Sequence, residues 1–167
     1  MLSYRTEAKA ALMEQATTPR ATAAPMPVSL RGHRRFPGQA DQVREARQFL
    51  SRLLGSFPAT DDAVLCLSEL ASNAVLHSNS GKPGGTFVVR ADIRQGSCLH
   101  VEISDQGGPW SHPVRADGQH GRGLLIVGHV ARDWGVIGDG QQGWTVWFEI
   151  SHPAPAAALP TASHARQ

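Results

Sequence analysis

The chain has 167 residues, of which 41% are hydrophobic and 18% are charged, and its formal net charge is +2. This length suits one domain with tails and is short for two ordinary domains. No apolar run approaches the ~18 residues of a membrane span, no secretory signal is visible, and the two cysteines make no disulfide framework. These features disfavour export, membrane insertion and a disulfide scaffold, and we expect a reduced, cytoplasmic protein.

The basic charge does not lie in the part of the chain that is expected to fold. Residues 33–151 carry eleven Arg and Lys against twelve Asp and Glu, so the basic excess lies toward the two ends. A nucleic-acid-binding domain concentrates positive charge on the folded face that meets phosphate. Direct binding to nucleic acid is therefore disfavoured.

Composition divides the chain into a folded unit and two tails. Residues 1–32 are rich in Ala, Thr, Pro and Met and are predicted to be a flexible segment. Residues 152–167 are rich in Ala and Pro and are predicted to be disordered. A single domain is therefore expected over residues 33–151, and no internal repeat divides it.

Within this unit, apolar periodicity and turn residues predict groups of helices and strands. A short edge strand is predicted at 34–37, followed by a helix that Asp41 caps and Gly55 ends, and by a second helix from Thr60 to about His77. The remaining predicted elements are strands at 86–93 and 99–104 joined by a hairpin turn at 95–96, a loop over 105–120, a helix at 123–132, and strands at 134–137 and 144–150. This pattern predicts an α/β fold in which helices cover one face of a sheet.

The second predicted helix carries the first candidate site. Glu69 and Asn73 are four residues apart, so a carboxylate and a carboxamide share one stripe beside the apolar face. Oxygen ligands of this kind suit Mg²⁺, and the carboxylate is placed to orient or deprotonate a nucleophile. Such pairs also occur on many helices as solvated residues without a function. Taken alone, Glu69 and Asn73 are better explained as solvated residues than as a site.

Two segments that contain glycine follow. Asp105 directly follows a predicted strand, and Gly107 lies two residues further on. This pattern is typical of a turn that faces a planar ligand, and it is also typical of an ordinary turn. Gly121 and Gly123 open the third predicted helix, where backbone N–H groups form an anion site. A dinucleotide-binding Rossmann motif is disfavoured, because no third glycine follows at the required position and the preceding segment is a predicted loop.

Taken in order, these motifs resemble those of the GHKL ATPase superfamily, whose Bergerat nucleotide-binding fold uses N, G1 and G2 boxes and a closing Thr. The resemblance covers roughly residues 34–150, and its stretches are LSELASNAVLHSNSG, VEISDQGGPW, GRGLLIV, and DWGV followed by GWTVWFEI. The likeness is closest to the actinobacterial anti-sigma factor serine/threonine kinases of the SpoIIAB/RsbW type. It implies a two-layer α/β sandwich with a mixed, mostly antiparallel sheet that is covered on one face by helices.

The resemblance implies a role for each matching residue at the phosphate end of a bound ATP. Asn73 would coordinate a Mg²⁺ ion that bridges the phosphates, and Glu69 would act as general base toward an incoming serine hydroxyl. Gly121 and Gly123 would flank the triphosphate, and Arg122 between them would pair with phosphate. The implied cofactors are therefore ATP and Mg²⁺.

At the adenine end, the resemblance implies that Asp105 binds the adenine amine, that Gly107 gives the ring room, and that Thr145 supports this end through its hydroxyl or a water. The implied activity is transfer of the ATP γ-phosphoryl group to a serine of an anti-sigma antagonist, with regulation of transcription by partner switching. The implied partners are a sigma factor, a STAS-type antagonist, or both, and a homodimer is left open.

Two functions other than a serine/threonine kinase are compatible with the same motifs, one as an alternative and one that is disfavoured. The alternative is an ATP-binding protein-interaction module, which sequesters a sigma factor or an antagonist with negligible kinase activity. The presence of Glu69 favours the enzyme over this module. The catalytic piece of a histidine kinase is disfavoured, because we find no dimerising helical pair with a phosphoacceptor histidine before the domain.

Overall fold

A computed structural model describes residues 28–94, 98–108 and 123–151 of the chain. These residues form three α-helices and five strands. The helices are α1 (Ala40–Leu54), α2 (Thr60–His77) and α3 (Gly123–Val130), and a 3₁₀ turn, Asn79–Gly81, follows α2. The strands are β1 (Val28–Pro37), β2 (Thr86–Arg94), β3 (Cys98–Ser104), β4 (Asp133–Asp139) and β5 (Gly143–Ser151).

The five strands form one sheet in the order β1-β2-β3-β5-β4, and each neighbouring pair is antiparallel. Alternate residues of β2, from Phe87 to Ile93, are buried, because successive side chains of a strand point to opposite faces. Helix α1 packs beside β1, α2 packs on β2 and β3, and α3 packs beside β4. The predicted two-layer α/β sandwich is confirmed, and the strands described are antiparallel throughout rather than mixed.

The hydrophobic core lies between these two layers. Phe36 of β1 stacks on Phe87 of β2 with 5.3 Å between ring centroids, and Phe49 of α1 meets Phe36 edge-on at 5.9 Å. Cys66 of α2 is fully buried, and burial raises the pKa of its thiol to about 11, so it packs as a small apolar residue. These contacts hold α1 and α2 against the sheet, and they set the position of the helix that carries Glu69.

Two local predictions differ from the structure. Strand β1 begins at Val28 rather than at residue 34, because it pairs with β2 along its whole length. Gly32, in this added part of the strand, lies against α1, where a Cβ atom would come within 2.6 Å of Leu53. The prediction that Asp41 caps α1 is wrong: Asp41 lies in the first turn, and Gln39 at the N-cap makes no side-chain hydrogen bond. The negative charge of Asp41 still favours this positive end of the helix.

Some predictions concern parts of the chain outside the described residues. These are the hairpin turn at 95–96, most of the loop predicted over 105–120, the tail at 152–167, and the flexible segment predicted over 1–32, of which the structure describes only residues 28–32, in β1. Of the helices that the structure describes, none is long and apolar enough to cross a membrane.

The sheet face opposite the helices carries a partly buried ionic cluster, in which Glu149 and His100 are the buried members. Glu149 of β5 accepts a hydrogen bond from Arg94 at 3.2 Å, and its Oε1 lies 3.1 Å from Nδ1 of His100. The other ring nitrogen of His100 lies 3.1 Å from Glu102, and the ring stacks on Trp147 with 5.7 Å between centroids. The hydrogen bond to His100 lowers the pKa of Glu102, while burial acts in the opposite direction.

Candidate functional site

Glu69 and Asn73 lie one helical turn apart on α2, at the border between its buried face and solvent. The helix turns its small and aliphatic side chains toward the sheet, and those that are buried are Ala63, Cys66, Leu67, Leu70, Ala71 and Ala74. Positions 69 and 73 flank this face, so both polar side chains are half-buried. A carboxylate and a carboxamide are therefore held on one rigid helix with partial access to solvent.

The first residue of α3, Gly123, lies directly against this pair. A Cβ atom at Gly123 would be 2.9 Å from Oε2 of Glu69, 3.1 Å from Cβ of Glu69 and 3.5 Å from Nδ2 of Asn73. Glycine therefore allows the end of α3 to approach α2 closely. Because the first N–H groups of a helix are unpaired and carry partial positive charge, this end of α3 favours anions. The structure thus brings together two segments of the chain that are distant in sequence.

Asp105 follows β3 and closes a tight turn against β5. Its Oδ1 accepts hydrogen bonds from the N–H groups of Gly107 at 2.7 Å and Trp144 at 3.1 Å. Its own N–H donates to the carbonyl of Trp144 at 2.8 Å. Burial raises the pKa of the Asp105 carboxyl, and the two N–H donors oppose that shift. These bonds use Oδ1 alone, so Oδ2 is the carboxylate oxygen that can accept from a ligand.

Gly107 and Thr145 lie beside Asp105. Gly107 has φ +72°, and a Cβ atom there would be 2.6 Å from the carbonyl oxygen of Gly140, so both conformation and space require glycine. Thr145 of β5 is paired with Ser104 of β3, and their hydroxyl oxygens are 2.8 Å apart. Asp105, Gly107 and Thr145 therefore come together at one end of the β3–β5 pair.

The 3₁₀ turn after α2 joins these two groups of residues. The N–H of Asn79 donates to the carbonyl of Gly107 at 2.6 Å, and its side-chain amide donates to the carbonyl of Gln106 at 3.3 Å. Ser80 is fully buried, and its Oγ accepts from the N–H of Gln106 at 3.0 Å. The C-terminal end of the helix that carries Asn73 is thus bonded to the loop that follows Asp105.

Sequence reasoning missed Asn79, Ser80 and Trp144 as parts of this site. The segment from 78 to 85 has the composition of an ordinary turn, and Trp144 is typical of sheet packing, so no spacing rule marks them. Only the burial and hydrogen bonds of these residues show their role. Gly121 and Arg122 lie outside the described residues, as does the rest of the segment at 109–122.

Comparison with protein families identifies this α/β sandwich as an ATPase domain. Residues 36–150 match the histidine kinase-like ATPase domain. The chain therefore belongs to this family, within the GHKL superfamily, and membership implies an ATP-binding domain. No curated protein gives a significant match to the chain.

Two solved structures share the fold. The RsbU and RsbW domains of Rv1364c from Mycobacterium tuberculosis match with a TM-score of 0.56 and 20% identity, over 77% of this chain and 32% of that chain. The SiaB–SiaC complex from Pseudomonas aeruginosa matches with a TM-score of 0.52 and 12% identity, over 89% of this chain and 98% of that chain. This chain thus spans about a third of the length of the first relative, at 32%. At these identities the likeness shows the fold alone.

Proposed function

We propose that this chain is an ATP-dependent serine/threonine protein kinase of the anti-sigma factor type, acting in the cytoplasm. It transfers the γ-phosphoryl group of ATP to a serine of a STAS-type anti-sigma antagonist and regulates transcription by partner switching. The observation that carries the proposal is the contact of Gly123 with Glu69 and Asn73. This contact places a carboxylate, a carboxamide and a helix N-terminus at one point.

In this proposal, Asn73 would hold Mg²⁺ through its carboxamide oxygen. Proteins usually bind Mg²⁺ through one or two side-chain oxygens plus substrate phosphates. The part of the chain that the structure describes has no group of three or more His, Cys, Asp or Glu side chains placed to hold a metal ion, which fits a site that relies on the nucleotide. The ion neutralises phosphate charge when bound. Gly121, Arg122 and Gly123 are proposed to contact the triphosphate.

Glu69 is proposed as the general base. Its carboxylate is half-buried and one turn from Asn73. In the proposal it reaches a nucleophile at the phosphate end without itself holding the phosphates. The serine Oγ attacks the γ-phosphorus, the bond from that phosphorus to the bridging oxygen breaks, ADP leaves, and the serine proton passes to Glu69. Positioning and charge neutralisation supply most of the rate gain, and a general base contributes ~10²–10⁴.

At the other end of the site, Asp105, Gly107 and Thr145 are proposed to bind adenine, with Oδ2 of Asp105 accepting from the amine. The matched structures are described as RsbU and RsbW domains and as a SiaB–SiaC complex. These descriptions support a protein partner as phosphoacceptor rather than a small molecule. A sigma factor is proposed as the second partner, which the chain binds once the antagonist is phosphorylated and released.

Paired variants separate ATP binding from phosphoryl transfer. Glu69→Gln removes the base, so it should retain ATP while phosphoserine formation falls ~10²–10⁴-fold. Asn73→Ala should lose both Mg²⁺-dependent ATP binding and transfer. Glu45→Gln alters a half-buried carboxylate on α1 and serves as the control. The measurements are calorimetric titration of ATP with and without Mg²⁺, and transfer of labelled phosphate to candidate antagonists encoded near the gene.

Each result has a separate meaning. Transfer by Glu69→Gln at the wild-type rate would show that Glu69 is structural. A wild-type chain that binds ATP and an antagonist but phosphorylates none is instead a protein-interaction module. The absence of both heat and thermal stabilisation at millimolar nucleotide would contradict ATP binding itself.

A further inference from the structure

Ser80 is a buried polar residue to which the proposed function gives no role. Its side chain is fully buried, and its hydroxyl donates to the carbonyl of Thr86 at 2.7 Å and accepts from the N–H of Gln106 at 3.0 Å. Its own N–H donates to Oγ of Ser78 at 3.0 Å, at the C-terminal end of α2. One residue therefore bridges the end of α2, the start of β2 and the loop after β3.

The surroundings of Ser80 hold Gln106 firmly. Both backbone polar groups of Gln106 bond to the 3₁₀ turn, the N–H to Ser80 and the carbonyl to the side-chain amide of Asn79 at 3.3 Å. The side chain of Gln106 accepts from the N–H of Thr86 at 3.0 Å. A Cβ atom at Gly85 would overlap the carbonyl of Ser80, so the turn is also closely packed against the chain entering β2. Gln106 is the residue next to Asp105, and its position is therefore determined by the turn.

We propose that Ser80 is a positioning residue that sets the selectivity of the site for adenine. Ser80 bonds to the backbone N–H of Gln106 and thereby holds the neighbouring residue, Asp105, in position. This inference rests on the proposed function, in which Oδ2 of Asp105 accepts a hydrogen bond from the adenine amine. Loss of the hydroxyl removes the partner of a part-buried N–H, that of Gln106, and of a part-buried carbonyl, that of Thr86. The loop then gains conformational freedom, and the carboxylate must be ordered again each time a nucleotide binds.

The test compares ATP with purine riboside triphosphate, which differs from ATP only by lacking the exocyclic amine. Ser80→Ala should lower the affinity for ATP about ten-fold and that for the analogue by less than about two-fold. A merely destabilised protein would lose affinity for both equally, because the unfolded fraction binds neither. Thr60→Ala removes a 2.7 Å hydroxyl-to-carbonyl bond at the other end of α2, and this control should leave the ratio of affinities unchanged.

A second variant covers the case in which Ser80→Ala does not fold. Asn79→Ala removes only the exposed side-chain bond to the carbonyl of Gln106. It should shift the ratio in the same direction, by about two- to three-fold. Hydrogen exchange adds a direct readout of the loop, since the N–H of Gln106 should exchange faster in each folded variant than in the wild-type chain.

The outcomes distinguish this inference from the function on which it rests. A wild-type chain that prefers ATP, with a preference that Ser80→Ala loses, supports the inference. An unchanged ratio in folded Ser80→Ala, or in Asn79→Ala if Ser80→Ala is unfolded, overturns it. A wild-type chain that binds both nucleotides equally shows that Asp105 does not recognise the amine; the adenine assignment then fails, and the inference falls with it.

Discussion

Replacing Gly123 by alanine adds a methyl group where α3 meets Glu69 and Asn73. The new Cβ atom would lie 2.9 Å from Oε2 of Glu69 and 3.1 Å from its Cβ. Carbon atoms in contact prefer about 3.5–4.0 Å, so the overlap with Cβ amounts to roughly half an ångström. The carboxylate can rotate away, but the Cβ atom of Glu69 is attached to the backbone of α2. The two helices must therefore move apart by about this distance.

The size of the effect follows from this displacement. Overpacking of this kind costs about 1–3 kcal/mol, which lowers the melting temperature by about 4–12 °C in a domain near 100 residues. Misplacing a catalytic group by about 1 Å costs about 10² in rate, so, with Glu69 as the proposed general base, half that shift predicts a roughly ten-fold loss of the proposed phosphoryl transfer. Gly128→Ala is the matched control on the same helix, because its nearest neighbour would be Nε1 of Trp134 at an ordinary 3.4 Å. That variant should be more stable by about 0.5–1 kcal/mol.

Thermal unfolding of both variants, together with phosphoserine formation on a cognate partner, tests this reasoning. The unfolding experiment does not depend on the proposed activity. If Gly123→Ala melts no lower than Gly128→Ala, the packing argument is refuted. If Gly123→Ala is destabilised but transfers phosphate at the wild-type rate, the contact with Glu69 has no part in catalysis.

Two further predictions concern carboxylates with shifted pKa values. Burial raises the pKa of Asp105, so its contribution to stability falls as pH rises through that pKa. In Asp105→Asn, the side-chain oxygen can still accept hydrogen bonds from the N–H groups of Gly107 and Trp144, so this variant should melt at pH 7 no lower than wild type. It should lose the preference for ATP over purine riboside triphosphate. A retained preference would exclude Asp105 as the amine acceptor. The hydrogen bond to His100 lowers the pKa of Glu102 below 4.5, so its stabilisation is present above that pH and is lost on acidification through the lowered value. Glu102→Gln should flatten the acid side of the melting profile, and an unchanged profile would contradict this.

Much of the secondary structure could be predicted because its signals are local. The apolar residues of α2 recur at helical spacing from Ala63 to Ala74, and the helix forms over Thr60–His77. The start of β1 at Val28 could not be predicted, because the partner strand β2 lies far along the chain and supplies the pairing. The cap of α1 was also missed: Asp is a favoured N-cap residue and Gln is not, yet the helix begins one residue earlier, with Gln39 at the N-cap and Asp41 in the first turn.

The candidate site also has parts that local sequence signals predict and parts that they do not. Glu69 and Asn73 share a helical stripe by spacing alone, and Asp105 and Gly107 stand out as a turn after a strand. Their roles in the chemistry remain proposals that the variants above test. Ser80 gave no signal, because a serine in a turn is ordinary until its burial is known.

Local sequence patterns are enough to predict the helices, most of the strands, and the polar residues that lie at the edges of apolar faces. These features depend on side-chain periodicity and turn propensity within a few neighbouring residues. By contrast, three contacts are visible only in the folded domain: Gly123 lies against Glu69, β3 pairs with β5, and Ser80 bonds to the loop that follows Asp105. Such contacts join segments far apart in the chain, and close packing of the whole domain selects them, so no local pattern contains them.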